Sequence, residues 1–549
     1  LRCRIAGAID QRHLAIAVSN RMTLRSRILG AFLLLLPLTA RAADARKELW
    51  LYYPSNLLVE KNIDKLEDIW TRAAKAGYTH VLLADSKFSR LNAMDKRYFD
   101  NCERVKKIAK ELNLTIVPAI FPIGYSNDLL SQNPNLAEGL PVKDALFVVK
   151  ENLATLQPEP PVAFAEKFNF VDEEVKLDAA AHSATVTANK SNARMNQRLK
   201  LTPFRHYHVW VQIKTDDYTG HPEIKALAAA DGVSLNWTNL HVKRTQDWTT
   251  HHITFNSLDH TDVNLYLGVW GSAKGTLQWK DWRIEEVGLL NVLRRPGAPL
   301  LVKQGDRMLE EGKDFDPIKD PRMGTVPYAG EYEVYHDSPA IHTHNLPDGT
   351  QLRVSWYHPH IIYDGQMPCC FAEPQVKELL ADQAKRMRQL WSAPGYMMSH
   401  DEIRVMNHDL SCLSAHKTPG ELLADNARYC TSLLDGATVY TWNDMFDPFH
   451  NAVKGPYYLV NGPYTGSWEG LSKDTIILNW NFGHRDESLK FFADRGHRQI
   501  IAGYYDAKPE QIKLWLASAA KVQGVIGVMY TTWRNDYSQI ESFAKLARE

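Results

Sequence analysis

From Leu49 onward the chain alternates short, continuously apolar runs with stretches whose apolar residues recur at the helical period. LWLYY at 49–53 precedes a helical pattern over 61–76 that closes at Gly77; THVLLAD at 79–85 precedes another over 97–112; LTIVPAI at 114–120 follows. Buried parallel strands read as unbroken apolar runs, and a helix between two of them implies a right-handed βαβ unit. The rhythm then changes. Between about 150 and 290 a period of two takes over, in ATVTA, YHVWVQIKT, VSLNWT, WTTHHITFNS, VNLYLGVWG and GTLQWKDWRIEEV. The exception is an alanine-rich stretch near 222–230, which reads as helical. Short strands at regular spacing with polar turns predict an antiparallel sandwich.

Strand and helix patterns alternate again after QLRVSWYH at 351–358: Pro374 opens a helix to about Trp391, and GYMMSHDE at 395–402 follows. Then come a helix near 419–434, ATVYTWNDM at 437–445, TIILNWN at 475–481, QIIAGYYD at 499–506 and GVIGVMYTTW at 524–533, with helices over 486–495, 509–521 and at the end. With 351–358 assigned to the insertion, eight strands remain, beginning at 49, 79, 114, 395, 437, 475, 499 and 525. Eight is what a (β/α)8 TIM barrel requires. The fold expected is an α/β TIM barrel interrupted after its third strand by an inserted antiparallel β-sandwich (jelly roll). Its parts are upstream residues with a signal peptide (1–43), barrel strands one to three (44–150), the sandwich (151–290), a β-rich connector (291–370) and barrel strands four to eight (371–549).

The leader reading rests on Met22, Arg25 and Arg27, an apolar run from Ile28 to Leu38 too short to span a bilayer, and an Ala40-x-Ala42 cleavage signal. It places the mature protein in the periplasm or outside the cell, with no membrane association after cleavage. Lys plus Arg equals Asp plus Glu at 64 each, so no electrostatic footprint for nucleic acid is present. The 15 Trp and 23 Tyr supply flat apolar faces with polar tips, suited to stacking on sugar rings. Five cysteines lie beyond the leader, at 102, 369, 370, 412 and 430, and their spacing matches no zinc ribbon or redox motif. No Gly-x-Ser-x-Gly elbow, Walker loop or dinucleotide fingerprint stands in its proper context. No metal and no cofactor are expected.

In a barrel of this kind the site lies at the C-terminal ends of the strands. Those ends carry Ser399-His400-Asp401-Glu402, Trp442-Asn443-Asp444-Met445, Asn479-Trp480-Asn481, Tyr504-Tyr505-Asp506 and Tyr530-Thr531-Thr532-Trp533. Carboxylates flanked by amides and ringed by aromatics describe a pocket for an uncharged, polyhydroxylated ligand. Glycosidic cleavage needs a proton donor to the leaving oxygen and a group facing the developing oxocarbenium ion. Asp401 and Glu402 are the candidate catalytic pair. Neighbouring carboxylates raise one another's pKa, and they share a pocket only where the strand has ended. His358, His400, Arg404, Asp444 and Asp506 are candidate substrate contacts, and Arg404 serves equally as a salt bridge fixing the loop. His358-Pro359-His360 forces an extended segment, which gives no helical ligand pair for a metal.

Gly-Tyr-Met-Met-Ser-His-Asp-Glu at 395–402 resembles the Asp-Glu pair of the glycoside hydrolase family 20 β-N-acetylhexosaminidases, and Trp442-Asn443-Asp444-Met445 is similar to a Trp-Asp-Asp-Met of their relatives. That resemblance implies Glu402 as general acid/base and Asp401 orienting the substrate's own 2-acetamido group as nucleophile. It also implies Tyr530 or Tyr440 on the acetamido oxygen and Trp480 or Trp533 as the pocket floor; Trp442 and Tyr504 are candidate lining residues from their place at strand ends. The departures are LWLYYPSN without the family's arginine, PAIFPIG without its acidic, histidine-containing motif, and TTWRND in place of Trp-x-Glu. Trp248–Phe255, Leu265–Trp270, Gly275 and Asp281–Ile284 resemble the jelly-roll carbohydrate-binding modules attached to glycoside hydrolases. The resulting expectation is an exported, exo-acting hydrolase of β-linked N-acetylhexosamine glycans. The alternatives are a hydrolase of neutral sugars using Glu402 with Asp444 or Asp506, and a non-catalytic carbohydrate-binding protein.

Overall fold

The computed structural model describes residues 48–455 and 457–549, so the leader and its cleavage signal lie outside the described residues. Eight parallel strands close into a barrel: β1 (Glu48–Pro54), β2 (His80–Ala84), β3 (Thr115–Ile120), β4 (Gly395–Met398), β5 (Thr438–Trp442), β6 (Ile476–Asn479), β7 (Gln499–Ile501) and β8 (Val525–Tyr530). β8 pairs with β1 and closes the ring. These strands are apolar on both faces because both faces are buried. Trp50, Leu82, Val117, Met397, Tyr440, Trp442, Leu478, Ile500 and Met529 fill the interior. Their neighbours Leu51, Val81, Tyr396, Met398, Val439, Ile477, Ile501 and Tyr530 pack against the helices outside. The period of two therefore runs through every barrel strand and decides which residues just beyond each end face the mouth.

The chain leaves the barrel after β3. Strands Gln246–Asn256, His206–Asp216, Thr276–Glu286, Ser183–Thr187 and Val175–Asp178 form one antiparallel sheet; Pro222–Ala228, Asp262–Val269, Ala193–Lys200 and Phe170–Val171 form the other. Between them lies an apolar core. The alanine-rich segment expected to be helical is the strand Pro222–Ala228, paired antiparallel with Asp262–Val269. Pro222, Ile224, Ala226 and Ala228 are buried in strict alternation, and packing at that period overrides alanine's helical preference.

A second excursion sheet has the order Arg307–Met308, Leu301–Gln304, Gln351–His358, Leu140–Lys150, Leu153–Leu156, Ile341–His342. Gln351–His358 thus pairs outside the barrel, and Leu140–Lys150 lies beside it. Val405 and Leu459, from the loops after β4 and β5, share the sandwich's apolar core. The insertion is thereby seated on the barrel mouth. No helix among the described residues is long and apolar enough to cross a membrane.

Candidate active site

β4 ends at Met398, and alternation sends His400 outward and Asp401 inward. Glu402 then adopts a left-handed conformation (φ 49°), which turns the chain so that two successive carboxylates serve one region. Room for this turn comes from Gly124 in the loop after β3: a Cβ there would stand 2.2 Å from the Asp401 carbonyl oxygen.

Around Glu402 a dense polar network forms. Its Oε2 accepts from the Tyr125 hydroxyl and lies 2.7 Å from Arg404 Nη2. Arg404 Nη1 donates to Tyr125 Oη (3.1 Å) and to Gln366 Oε1. Gln366 Nε2 in turn donates to the carbonyls of Gly124 and Glu402, both at 2.9 Å. The Arg404 guanidinium is 5% exposed and sits 5.0 Å from the Tyr363 ring and 4.9 Å from the Tyr458 ring. The two tyrosine hydroxyls meet at 2.5 Å. The sandwich reaches in here: the Trp237 ring lies tilted against Tyr458 with centroids 4.5 Å apart, and Tyr363 N–H donates to the Trp237 carbonyl at 3.0 Å.

Asp444, two residues past β5, is fully buried; its Oδ2 accepts from Glu402 N–H and from Asn451 Nδ2, each at 2.9 Å. Its Oδ1 has no partner. Burial, then the charge of Asp401, pushes the Asp444 carboxyl well above the usual range. Asp401 is half-buried and makes no hydrogen bond to another side chain among the described residues. Burial first, and the neighbouring Glu402 second, push it up to about 7. With both raised, Asp401 and Asp444 retain a proton near neutral pH, because like charges in a desolvated site do not both ionise.

The other expected residues divide. Trp442 and Trp533 lie together at the mouth, joined by Tyr52, with ring centroids 5.2–6.2 Å apart. Trp480 is half-buried and edge-on to His450 at 4.4 Å. Asp506 is committed to structure: it accepts from the Thr532 hydroxyl (2.5 Å) and from the N–H groups of Trp533 (3.0 Å) and Arg534 (3.1 Å), pinning the loop after β8. Tyr440 faces the barrel interior against Trp50, where the charges of Glu48 and Arg498 from the opposite end reach it. Tyr530 and Tyr504 stack on each other at 4.5 Å among the outer helices, and the Tyr530 hydroxyl donates to the Asp536 carbonyl at 2.7 Å. His400 is hydrogen-bonded at 2.9 Å to Asn426 on helix Pro419–Ser432, and burial drops its pKa to about 4. His358 stacks on His206 at 3.6 Å and bonds to Asn256 at 3.0 Å, between the sandwich and the second sheet. Tyr440, Tyr504, Tyr530, His358 and His400 are therefore not brought to the mouth.

Tyr125, Gln366, Tyr363, Tyr458 and Tyr52 complete the site without having been singled out by sequence. Only Tyr52 carried a signal, since it follows Trp50 by two on β1 and so faces inward at the strand's C-terminal end.

No protein-family model matches the chain, and no curated protein matches it. Solved structures that resemble it are glycoside hydrolases and carbohydrate-binding modules. A rhamnosidase from Novosphingobium sp. PP1Y is 12% identical, with 93% of this chain and 59% of that one aligned at a TM-score of 0.32. GH89 from Clostridium perfringens, in complex with its substrate GlcNAc-alpha-1,4-galactose, is 8% identical over 66% of each chain at 0.22. A carbohydrate-binding module from Cellvibrio mixtus lichenase 5A, in complex with cellotriose, is 14% identical over 22% of this chain and 91% of that one at 0.16. At these TM-scores the likeness assigns neither activity nor substrate, and none of the three points to family 20.

Proposed function

We propose that the protein is a glycoside hydrolase whose chemistry is carried out at the barrel mouth by Asp401, Glu402 and Asp444. The observation that carries this reading is the contrast between two adjacent carboxyl groups. Burial and Glu402 push Asp401 up to about 7 and it hydrogen-bonds to no side chain among the described residues, whereas Glu402 is ion-paired with Arg404. A carboxyl group raised toward neutrality beside one paired with a guanidinium makes a proton donor and a charged partner. Asp401 then protonates the leaving oxygen, and Glu402 supplies the negative charge. This reverses the division of labour implied by the family 20 resemblance. Tyr52, Trp442 and Trp533 provide the apolar platform for the sugar ring.

The finer reading is substrate assistance on an N-acetylhexosaminide. The acetamido oxygen forms a bond to the anomeric carbon as the glycosidic bond breaks, the leaving oxygen takes the Asp401 proton, and Glu402 holds the acetamido N–H. Water then opens the cyclic intermediate. The roof of Tyr363, Tyr458 and Trp237 over Arg404 supports an exo-acting site. Asp506 is a poor second carboxylate for a neutral-sugar mechanism, because both its oxygens are already bonded to the loop after β8.

The test is hydrolysis of paired nitrophenyl glycosides that differ only in a 2-acetamido or 2-hydroxyl group. Turnover confined to the acetamido member, inhibited by a thiazoline mimic of the cyclised intermediate, is the expected result. Turnover of the hydroxyl member alone removes substrate assistance and keeps the hydrolase. Failure to cleave any glycoside or oligosaccharide offered overturns the reading.

A further inference from the structure

Away from the mouth, four buried side chains from three distant segments converge: Glu138, Cys370, Asp409 and Cys412, whose ligand-type atoms all lie within 4.8 Å of one another. Glu138 is 1% exposed, Cys370, Asp409 and Cys412 are fully buried, and both thiols are unpaired. Cys370 Sγ stands 3.5 Å from Cys412 Sγ and 3.3 Å from Asp409 Oδ1, and Cys412 Sγ stands 3.6 Å from Glu138 Oε2. A tetrahedral zinc ion, with Zn–S about 2.3 Å and Zn–O about 2.0 Å, sets its ligand atoms about 3.3–3.8 Å apart along the tetrahedron's edges. The three measured separations fall in that interval.

The geometry points to a structural zinc site formed by Glu138, Cys370, Asp409 and Cys412. Two thiolates and two carboxylates around a divalent ion leave two negative charges. Arg295 answers one of them, with its Nη2 2.5 Å from Asp409 Oδ2. The outer contacts that orient metal ligands are also present. His408 N–H donates to Glu138 Oε1 at 3.0 Å, and the N–H groups of Ser411 (3.1 Å) and Cys412 (3.2 Å) donate to Asp409 Oδ1. Without an ion, the same volume packs two acids and two thiols against a single cation. A four-ligand site with no open position is structural rather than catalytic. It ties the exit from the barrel at Glu138 and the return into it at Cys370 to the loop that carries Glu402 and Arg404. The linear spacing concealed the site, since Cys370 and Cys412 are 42 residues apart and Glu138 lies before the whole insertion.

The experiment is metal analysis of the purified full chain, reduced, incubated with zinc and dialysed. The expected content is about one zinc per chain, with X-ray absorption giving two sulfur neighbours at about 2.3 Å. Glu138→Gln and Cys412→Ser should each lower the content at least about tenfold. Where a variant fails to fold, a thiol-blocking mercurial added to wild type should release the ion to a chromogenic chelator. The proposal is overturned by a zinc-free protein after reconstitution, by zinc that survives both substitutions, or by a zinc-free chain as purified whose digest contains Cys370 linked to Cys412.

Discussion

Asp401 should make the protein less stable, and the size of that cost follows from its surroundings. Its carboxyl is raised from 3.8 to about 7 by burial and by Glu402. Between those values the native state holds a proton that the unfolded chain has released, so stability falls as pH rises through the interval. Each unit is worth about 1.36 kcal/mol, which sets an upper bound of about 4 kcal/mol above neutrality. Because the charge of Asp401 also raises the Asp444 carboxyl, the part removable at one residue is about 2–4 kcal/mol. Asp401→Asn is isosteric and breaks no hydrogen bond to another side chain among the described residues. It should therefore stabilise the fold by that amount at about pH 8 and by almost nothing at about pH 4, while abolishing turnover. Urea unfolding of wild type and variant at both pH values measures the difference, in which the titration of every other group largely cancels. A variant that is destabilised at pH 8, or equally stabilised at both pH values, would refute the reasoning.

Arg404→Met should cost about 2–4 kcal/mol, somewhat under the value for a fully buried pair because Glu402 remains 20% exposed, and should reduce kcat/KM at least about a hundredfold. Arg404→Lys should rescue little, since one ammonium does not replace a guanidinium shared by Glu402, Tyr125 and Gln366; denaturation midpoints and kinetics check both variants. Trp237→Ala removes the ring that lies against Tyr458 and should raise KM with kcat nearly unchanged, whereas unchanged kinetics would show that the sandwich plays no part in substrate binding. Burial holds His358 down to about 4 and His360 to about 3, so acidification below about 6.5 protonates the unfolded chain first and lowers native stability until those values are reached. Amide exchange at 206–211 and 356–360 should accelerate as the pH approaches 4, once corrected for intrinsic rates, and unchanged protection would contradict this account.

The barrel was legible because eight apolar runs each needed two buried faces. Assigning Gln351–His358 outside the barrel was forced by number alone, and its antiparallel partner Leu140–Lys150 gives the physical reason. The Asp401-Glu402 turn and Asp444 were legible from their place at strand ends. Period two, carried one residue further, would also have sent His400 and Tyr530 outward, since Met397 and Met529 face in. It would have placed Tyr440 one layer below the mouth, beneath Trp442. Tyr125, Gln366, Tyr363 and Tyr458 were not legible. They stand on irregular loops that no period marks: Tyr125 and Gln366 meet through the loop after β3, and the sandwich residue Trp237 contacts Tyr363 and Tyr458. The buried Cys370–Cys412 neighbourhood was hidden for the same reason, because tertiary closure and not spacing creates it.

The central claim is that Asp401 and Glu402 cleave a glycosidic bond rather than merely surround a bound sugar. The most direct measurement follows one glycoside through both binding and turnover in wild type and in Glu402→Gln, with calorimetry for affinity and product release for rate. Affinity should stay within about tenfold of wild type while the rate falls at least about a thousandfold. Binding without turnover in wild type itself, or turnover that survives the substitution, would contradict it.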